Sequence, residues 1–332
     1  MRWGDVYVRS CSVALGDREP VEAAVAAGRY DPALREAHGY ESIAVAGSGC
    51  ASDMAVDAAR VAIERSAVDP ADIGVFVHAY VDEQGPNGVD EPASYVQGMA
   101  HDGRARAIGL RQGCNSALAS LEVGAMYVSA GGAVVLTSAD KYAREGDRYR
   151  DDQGGVPADG ATAMVLGSGD GVARLLSTEI VGDGRFSRLA PLDSRQFEDR
   201  QEYRKAQRER VMSMMRTMTE ARRDCVRGAL ADAGVEAGDI SHWLLTYSGR
   251  FLVDRDFLDE FGIDDERTTW DLGRTVGHLI SGGDSFVGLT HLLETGTAEV
   301  GDRVVMMGDS TGFAFGCAVL EILAKPAWQA GR

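Results

Sequence analysis

The sequence predicts an α/β protein made of two copies of one βα unit, and three observations carry that prediction. The segment Ala59–Tyr80 is repeated by Val226–Tyr247, with Arg, Ala, an aliphatic residue, Val, Asp-Ile and Tyr in register. Each copy runs from an amphipathic stretch through a Val-Asp or Val-Glu loop into a continuous apolar run, the pattern of helix, turn and buried strand. A second pair follows the first. Gly113-Cys114 opens a helix ending near Gly131 and leads to the strand Ala133–Ser138, while Gly277-His278 opens a helix ending near Gly296 and leads to the strand Arg303–Gly308. Strands alternating with helices give parallel sheets covered on both faces. The halves are expected at 1–170 and 171–332, as two stacked sheets, with Cys114 and His278 in matching places at the seam.

The elements follow in chain order. Met1–Val8 alternates like a strand and lacks the apolar centre of a signal peptide. No run of eighteen apolar residues predicts a transmembrane helix, and a cytoplasmic protein is expected. The repeated helix–turn–strand comes next, then the helix behind Cys114 and its strand. A polar insertion at about 186–223 separates the halves. Between Arg200 and Arg223 it is dense in Arg, and Met212, Met214, Met215 and Met218 give its helix an apolar face. The mixed charges, with Glu202, Glu209 and Glu220, fit a solvated helix. A second reading makes Arg204, Arg208 and Arg210 a basic landing surface for an acidic carrier protein or a CoA phosphate.

Charge and cysteine usage exclude some functions. The net charge of -17 argues against nucleic acid and anionic membranes as partners. Five separated cysteines (Cys11, Cys50, Cys114, Cys225 and Cys317) suggest neither a disulfide framework nor a zinc site. No metal and no bound cofactor are expected.

The candidate chemistry gathers around Cys114. A thiol at a helix start meets the positive end of the helix dipole, which favours the nucleophilic thiolate. Cys11, Cys50, Cys225 and Cys317 read as small core residues. His278 is singled out by its symmetry with Cys114 and can exchange a proton with a nearby thiol. Asp309 ends a strand before a Gly-rich loop. It reads either as a turn residue bonded to its own backbone or as the carboxylate that orients His278. Backbone N–H groups at Cys114, and at Thr311 and Gly312 in the loop, are candidates for an oxyanion hole.

These residues resemble the ketoacyl-acyl-carrier-protein synthase III family of the thiolase superfamily. The likeness rests on Gly113-Cys114, on Val134–Asp140, on Ala158–Leu166, on Gly277-His278 and on Gly312–Gly316. It implies a five-layered αβαβα fold, a homodimer, and acyl transfer onto Cys114 from a CoA or carrier-protein thioester. Two departures matter. Condensing members carry His in a Pro-His-Gln-Ala-Asn-like segment, where this chain has Leu244–Arg250 and Tyr247 takes the His place. They also carry Asn where this chain has His278. Tyr is a poor proton acceptor at neutral pH, so the enolate site needed for decarboxylative condensation looks dismantled. What remains is similar to a branch that moves acyl groups onto a hydroxyl or amine of natural-product intermediates such as deoxysugars or aminocyclitols. Tyr247 and Ser248 are candidate substrate contacts. The alternatives are a condensing or starter-loading synthase and a non-catalytic partner subunit.

Overall fold

Strands buried along their whole length need apolar cover on both faces, and this chain supplies it twice. The computed structural model describes residues 1–85, 91–101, 103–143, 147–150, 155–189, 197, 199–249, 255–309 and 314–329. In chain order the elements are β1 (Tyr7–Leu15), β2 (Asp17–Pro20), α1 (Val21–Ala26), α2 (Pro32–His38), β3 (Ser42–Val45), α3 (Ala51–Ser66), β4 (Ile73–Ala79), α4 (Pro92–Ala100), β5 (Arg106–Leu110), α5 (Ser116–Ser129), β6 (Ala133–Asp140), β7 (Gly160–Gly167) and β8 (Ala173–Gly182). They continue with α6 (Arg200–Ala233), β9 (His242–Leu244), α7 (Arg255–Phe261), α8 (Trp270–Val276), α9 (Asp284–Thr295), β10 (Arg303–Asp309) and β11 (Ala314–Ile322).

Nine strands join in the order β5-β4-β6-β7-β1-β8-β11-β10-β9. The strands before residue 170 form one side of this order and those after it the other. Within the sheet the two sides join where Tyr7 and Val8 pair with Arg174 and Ala173, with a further bridge between Arg2 and Ser177. Pairings β4–β5, β4–β6 and β9–β10 are parallel, whereas β7, β8 and β11 run antiparallel to their neighbours. The sheet is therefore mixed. The expected all-parallel sheets give way because β6 and β7, and β10 and β11, are consecutive in chain and, among the described residues, have no α-helix between them, so they pair antiparallel.

The layers follow from the cores. α5 and α9 lie in the middle, each packed on strands of both sides. Their cluster joins Val77, Leu121, Leu136 and Leu166 to Leu244, Phe286, Leu289, Met306 and Leu320. α3 covers the outer face of the first side, with Ala55, Ala59 and Ala62 against Phe76, Val135 and Val165. α6 covers the outer face of the second, with Met214, Met218, Cys225 and Val226 among Trp243, Val305 and Val319. The order is thus helix, sheet, helices, sheet, helix: five layers.

The internal repeat is visible locally. α3 leads through a 3-10 turn at Pro70–Asp72 into β4, and α6 leads through a 3-10 turn at Ala237–Asp239 into β9. The polar insertion does not stand apart from that repeat. Its helical part is continuous with the repeated helix, giving a single α6 of 34 residues. Met214 and Met218 are buried while Met212 and Met215 are exposed, because positions four apart share a face.

Candidate active site

Cys114 is half-buried, two residues before α5, and Asn115 is the capping residue of that helix. The entry turn is held by Ser116. Its hydroxyl donates to the Gly113 carbonyl at 2.7 Å and accepts from the Gln112 N–H at 2.8 Å. His278 is almost fully buried. It lies not at the head of α9, as the sequence suggests, but six residues before it, because a turn at 279–283 comes between. Gly277 makes the bend into His278 with φ +86°, and Gly282 in the turn has φ +85°. A side chain at Gly282 would put its Cβ 2.2 Å from the Cys114 carbonyl oxygen. Only glycine lets the two halves come this close.

The turn carries His278 to Cys114, and the two side chains are within hydrogen-bonding reach. The other imidazole nitrogen, Nδ1, is 2.6 Å from Asp284 Oδ2. Asp284 is itself fixed by two backbone donors, Leu279 N–H on Oδ1 at 2.8 Å and Tyr247 N–H on Oδ2 at 2.7 Å. Burial alone would lower the His278 pKa. The charge and hydrogen bond of Asp284, with a further contribution from Cys114, outweigh it and raise that pKa well above the ordinary value. The result brings a thiol and a carboxylate to one imidazole.

The carboxylate that meets His278 here is one the sequence reading did not name. Asp309 ends β10, paired with Phe315 across the hairpin, and its side chain lies outside the described residues. Among the described residues, the carboxylate on His278 Nδ1 is that of Asp284. Thr311 and Gly312 also lie outside the described residues.

Tyr247 is fully buried, and burial holds its phenol above the usual range. Its hydroxyl donates to Thr269 Oγ1 at 3.1 Å, its carbonyl accepts from the Tyr40 hydroxyl at 2.5 Å, and its N–H serves Asp284. Its ring lies so close to Gly273 that a Cβ there would be 2.3 Å from the ring. Tyr247 thus enters the site through its backbone. Ser248 is half-buried and bonded to Thr246 at 3.0 Å. A Cβ on Gly155 would lie 3.2 Å from the Ser248 Cα and 3.4 Å from the His278 Cβ, which places Ser248 beside His278.

A cavity of about 260 Å³ opens on the far side of Tyr247, lined by Leu245, Thr246, Arg255, Leu258 and Trp270 among others, with neither Cys114 nor His278 in its wall. On α6, Arg208 is exposed and Arg210 half-buried, while the side chain of Arg204 lies outside the described residues. Among the described residues no group of three His, Cys, Asp or Glu side chains is arranged to hold a metal ion, and no helix is long and apolar enough to cross a membrane.

Comparison with known proteins bears on the fold and the family. The family profile described as 3-oxoacyl-[acyl-carrier-protein] synthase III matches residues 108–184, and the profile of that family's C-terminal part matches residues 230–322. A solved structure named ChlB3, described as an acyltransferase, superposes with a TM-score of 0.89 at 30% identity, over 98% of this chain and 100% of that one. The chain belongs to the ketoacyl-acyl-carrier-protein synthase III family of the thiolase superfamily. Two synthase III relatives are more distant in sequence. Beta-ketoacyl-[acyl-carrier-protein] synthase III of Rhizorhabdus wittichii is 25% identical over 297 residues, 88% of this chain and 90% of that protein. Beta-ketoacyl-[acyl-carrier-protein] synthase III 3 of Streptomyces coelicolor is 25% identical over 287 residues, 81% of this chain and 82% of that protein. The fold of the synthase III from Pseudomonas aeruginosa matches with a TM-score of 0.76 at 20% identity, over 97% of this chain and 99% of that one. As in the family to which it belongs, the chain has a thiolase-like fold, and it is an enzyme of the synthase III type.

Sequence reasoning missed one residue of this site. Asp284 could have been found as an acidic residue in the first turn of a helix, the position where a carboxylate meets free N–H groups.

Proposed function

We propose that this enzyme is an acyltransferase that carries an acyl group from a CoA or carrier-protein thioester, through a thioester on Cys114, to a hydroxyl or amine of a small acceptor. The observation that carries the reading is the Cys114–His278–Asp284 arrangement, combined with the commitment of Tyr247 to Thr269 at the place where condensing relatives carry a His. A deoxysugar or aminocyclitol is the acceptor class the family resemblance suggests. The likeness to ChlB3, described as an acyltransferase, supports the same reading.

The steps follow from proton positions. The Cys114 thiolate attacks the donor carbonyl, and backbone N–H groups at the start of α5 stabilise the oxyanion. The thiol of CoA or of the carrier leaves with the proton of His278. Acylation removes one of the contributions that hold the His278 pKa high, because Cys114 no longer bears charge. The imidazole then accepts the proton of the acceptor hydroxyl or amine as that atom attacks the acyl carbon. Cys114 departs as thiolate beside a protonated His278, and the cycle closes. Asp284 holds the ring throughout and stabilises its charged form.

The oxyanion loop at Thr311 and Gly312, a carrier docking surface at Arg204, Arg208 and Arg210, a homodimer, and a cytoplasmic location belong to the same proposal. A second reading, decarboxylative condensation, is favoured by the two relatives named as synthases. Incubation with acyl-CoA and intact-mass measurement should show one acyl adduct on the wild type and none on Cys114→Ala. Release of CO2 from a malonyl thioester with formation of a β-keto product would overturn the proposal in favour of condensation.

A further inference from the structure

The seam holds a second buried carboxylate besides Asp284. Asp140 ends β6, and its side chain is almost entirely removed from solvent. Its Oδ2 accepts from the Ser281 N–H at 2.9 Å and from the Ser281 hydroxyl at 2.6 Å. Its Oδ1 has no hydrogen-bond partner and is also buried. Ser281 lies in the turn between His278 and α9. Its carbonyl accepts from the Ala117 N–H at 2.9 Å, in the first turn of the helix behind Cys114. The next residue, Gly282, sits against the Cys114 carbonyl. One carboxylate of the first half therefore grips the turn that carries the histidine of the second half, and the same turn grips the helix that carries the cysteine.

We propose that Asp140 is a positioning residue of the acyl-transfer site: it pins the 279–283 turn so that His278 meets Cys114, and it supplies negative charge behind the imidazole. This rests on the reading of Cys114 and His278 as nucleophile and base. A structural anchor alone does not need a carboxylate here, because Asn offers the same oxygen to the Ser281 N–H and hydroxyl. A buried acid with one oxygen unpartnered is an expensive choice for an anchor. Two charged groups face it, Asp82 from the segment after β4 and His278 from the turn. Burial pushes the Asp140 pKa up to about 7, against the opposing pull of Ser281 and His278, with Asp82 adding to the rise. Folding thus retains a proton that the unfolded chain releases near the ordinary value of 3.8. Since the folded state binds more protons over that window, stability falls as pH rises from about 4 to about 7.

Asp140→Asn removes the charge and keeps the acceptor, so it separates the two roles. The full-length wild type, Asp140→Asn and Ser281→Ala are treated with iodoacetamide across pH 5.5–9, and modification of Cys114 is followed by peptide mass. Unfolding midpoints are measured on the same samples. The expected result for Asp140→Asn is alkylation slowed about tenfold at about pH 8, where Asp140 is ionised, together with an unfolding midpoint raised by about 3 °C at the same pH. Ser281→Ala should slow alkylation less. Wild-type alkylation rates in Asp140→Asn would overturn the proposal. So would a lowered midpoint, which marks a residue kept for folding alone. Failure of the acyltransferase reading registers separately, as a wild-type Cys114 that takes up no acyl group.

Discussion

His78 and His278 are both buried histidines at the core of this enzyme, one in each half, and their surroundings make them opposites. His78, in β4, is held between neutral groups, with Nδ1 at 2.8 Å from Thr137 Oγ1 and Nε2 at 3.0 Å from Gln84 Oε1. Burial there dominates, and its pKa falls to about 4 despite the hydrogen bond to Gln84. His278 is equally enclosed, but its partners are a carboxylate and a thiol, and its pKa rises well above the ordinary value. Burial fixes both rings; the charge of the partner decides which one can do chemistry. Gln84 is further tied to the Ala139 carbonyl at 3.2 Å, so His78 belongs to a closed network that braces the strand ends.

The largest contrast should appear in activity. His278→Ala is expected to lower acyl transfer by about 10²–10⁴-fold while donor binding persists. His78→Gln should leave the rate within a few-fold and instead lower stability by about 2 kcal/mol, because a buried donor or acceptor loses its partner. Steady-state kinetics and denaturant unfolding on both variants read the two effects, and equal rate losses would erase the distinction. Next in size is Asp284→Asn, expected to slow transfer about 10²-fold through loss of the charge and of the fixed tautomer. Asp309→Asn is expected to fall well short of that loss, and the reverse ranking would return the orienting role to Asp309.

Stability against pH sharpens the comparison further. The folded pKa of His278 is raised, so its pairing with Asp284 stabilises fully below about pH 6.5 and is lost as pH climbs through the raised value. The folded pKa of His78 is lowered to about 4. Its stabilisation is present above about 6.5 and is lost as pH falls toward 4, an effect of order ~3 kcal/mol. Unfolding midpoints of His78→Gln should therefore decline less on the acid side, and those of His278→Ala less on the alkaline side. The smallest effect is expected for Tyr247→Phe. It removes one hydrogen bond to Thr269, worth about 1 kcal/mol, and leaves transfer intact because Tyr247 acts on Asp284 through its backbone N–H.

The sequence made one half of this site legible and hid the other. Cys114 was readable because a residue just before a helix is specified by local pattern. His278 was readable because the chain repeats, so a place in one half predicts a place in the other. Asp284 was hidden by backbone geometry: the turn through Gly282 and Gly283 folds the chain back, and a reader who starts the helix at His278 cannot see it. Asp309 was named for its place at a strand end before a Gly-rich loop, and its side chain lies outside the described residues, while Nδ1 of His278 meets Asp284 across the short turn. Two stacked sheets followed from alternating helices and strands, and the five layers from the family likeness. The antiparallel strands within the sheet did not, since they depend on which neighbours lack a crossover helix.

The central claim is that the acyl group resting on Cys114 is handed to oxygen or nitrogen by His278. The most direct measurement is to isolate the acylated enzyme and follow the mass of the Cys114 adduct after adding hydroxyl or amine acceptors, or a malonyl thioester. The account predicts discharge to an ester or amide of an acceptor, fast for the wild type and slow for His278→Ala, with no CO2 released. Discharge by the malonyl thioester alone, with CO2 and a β-keto product, would contradict it.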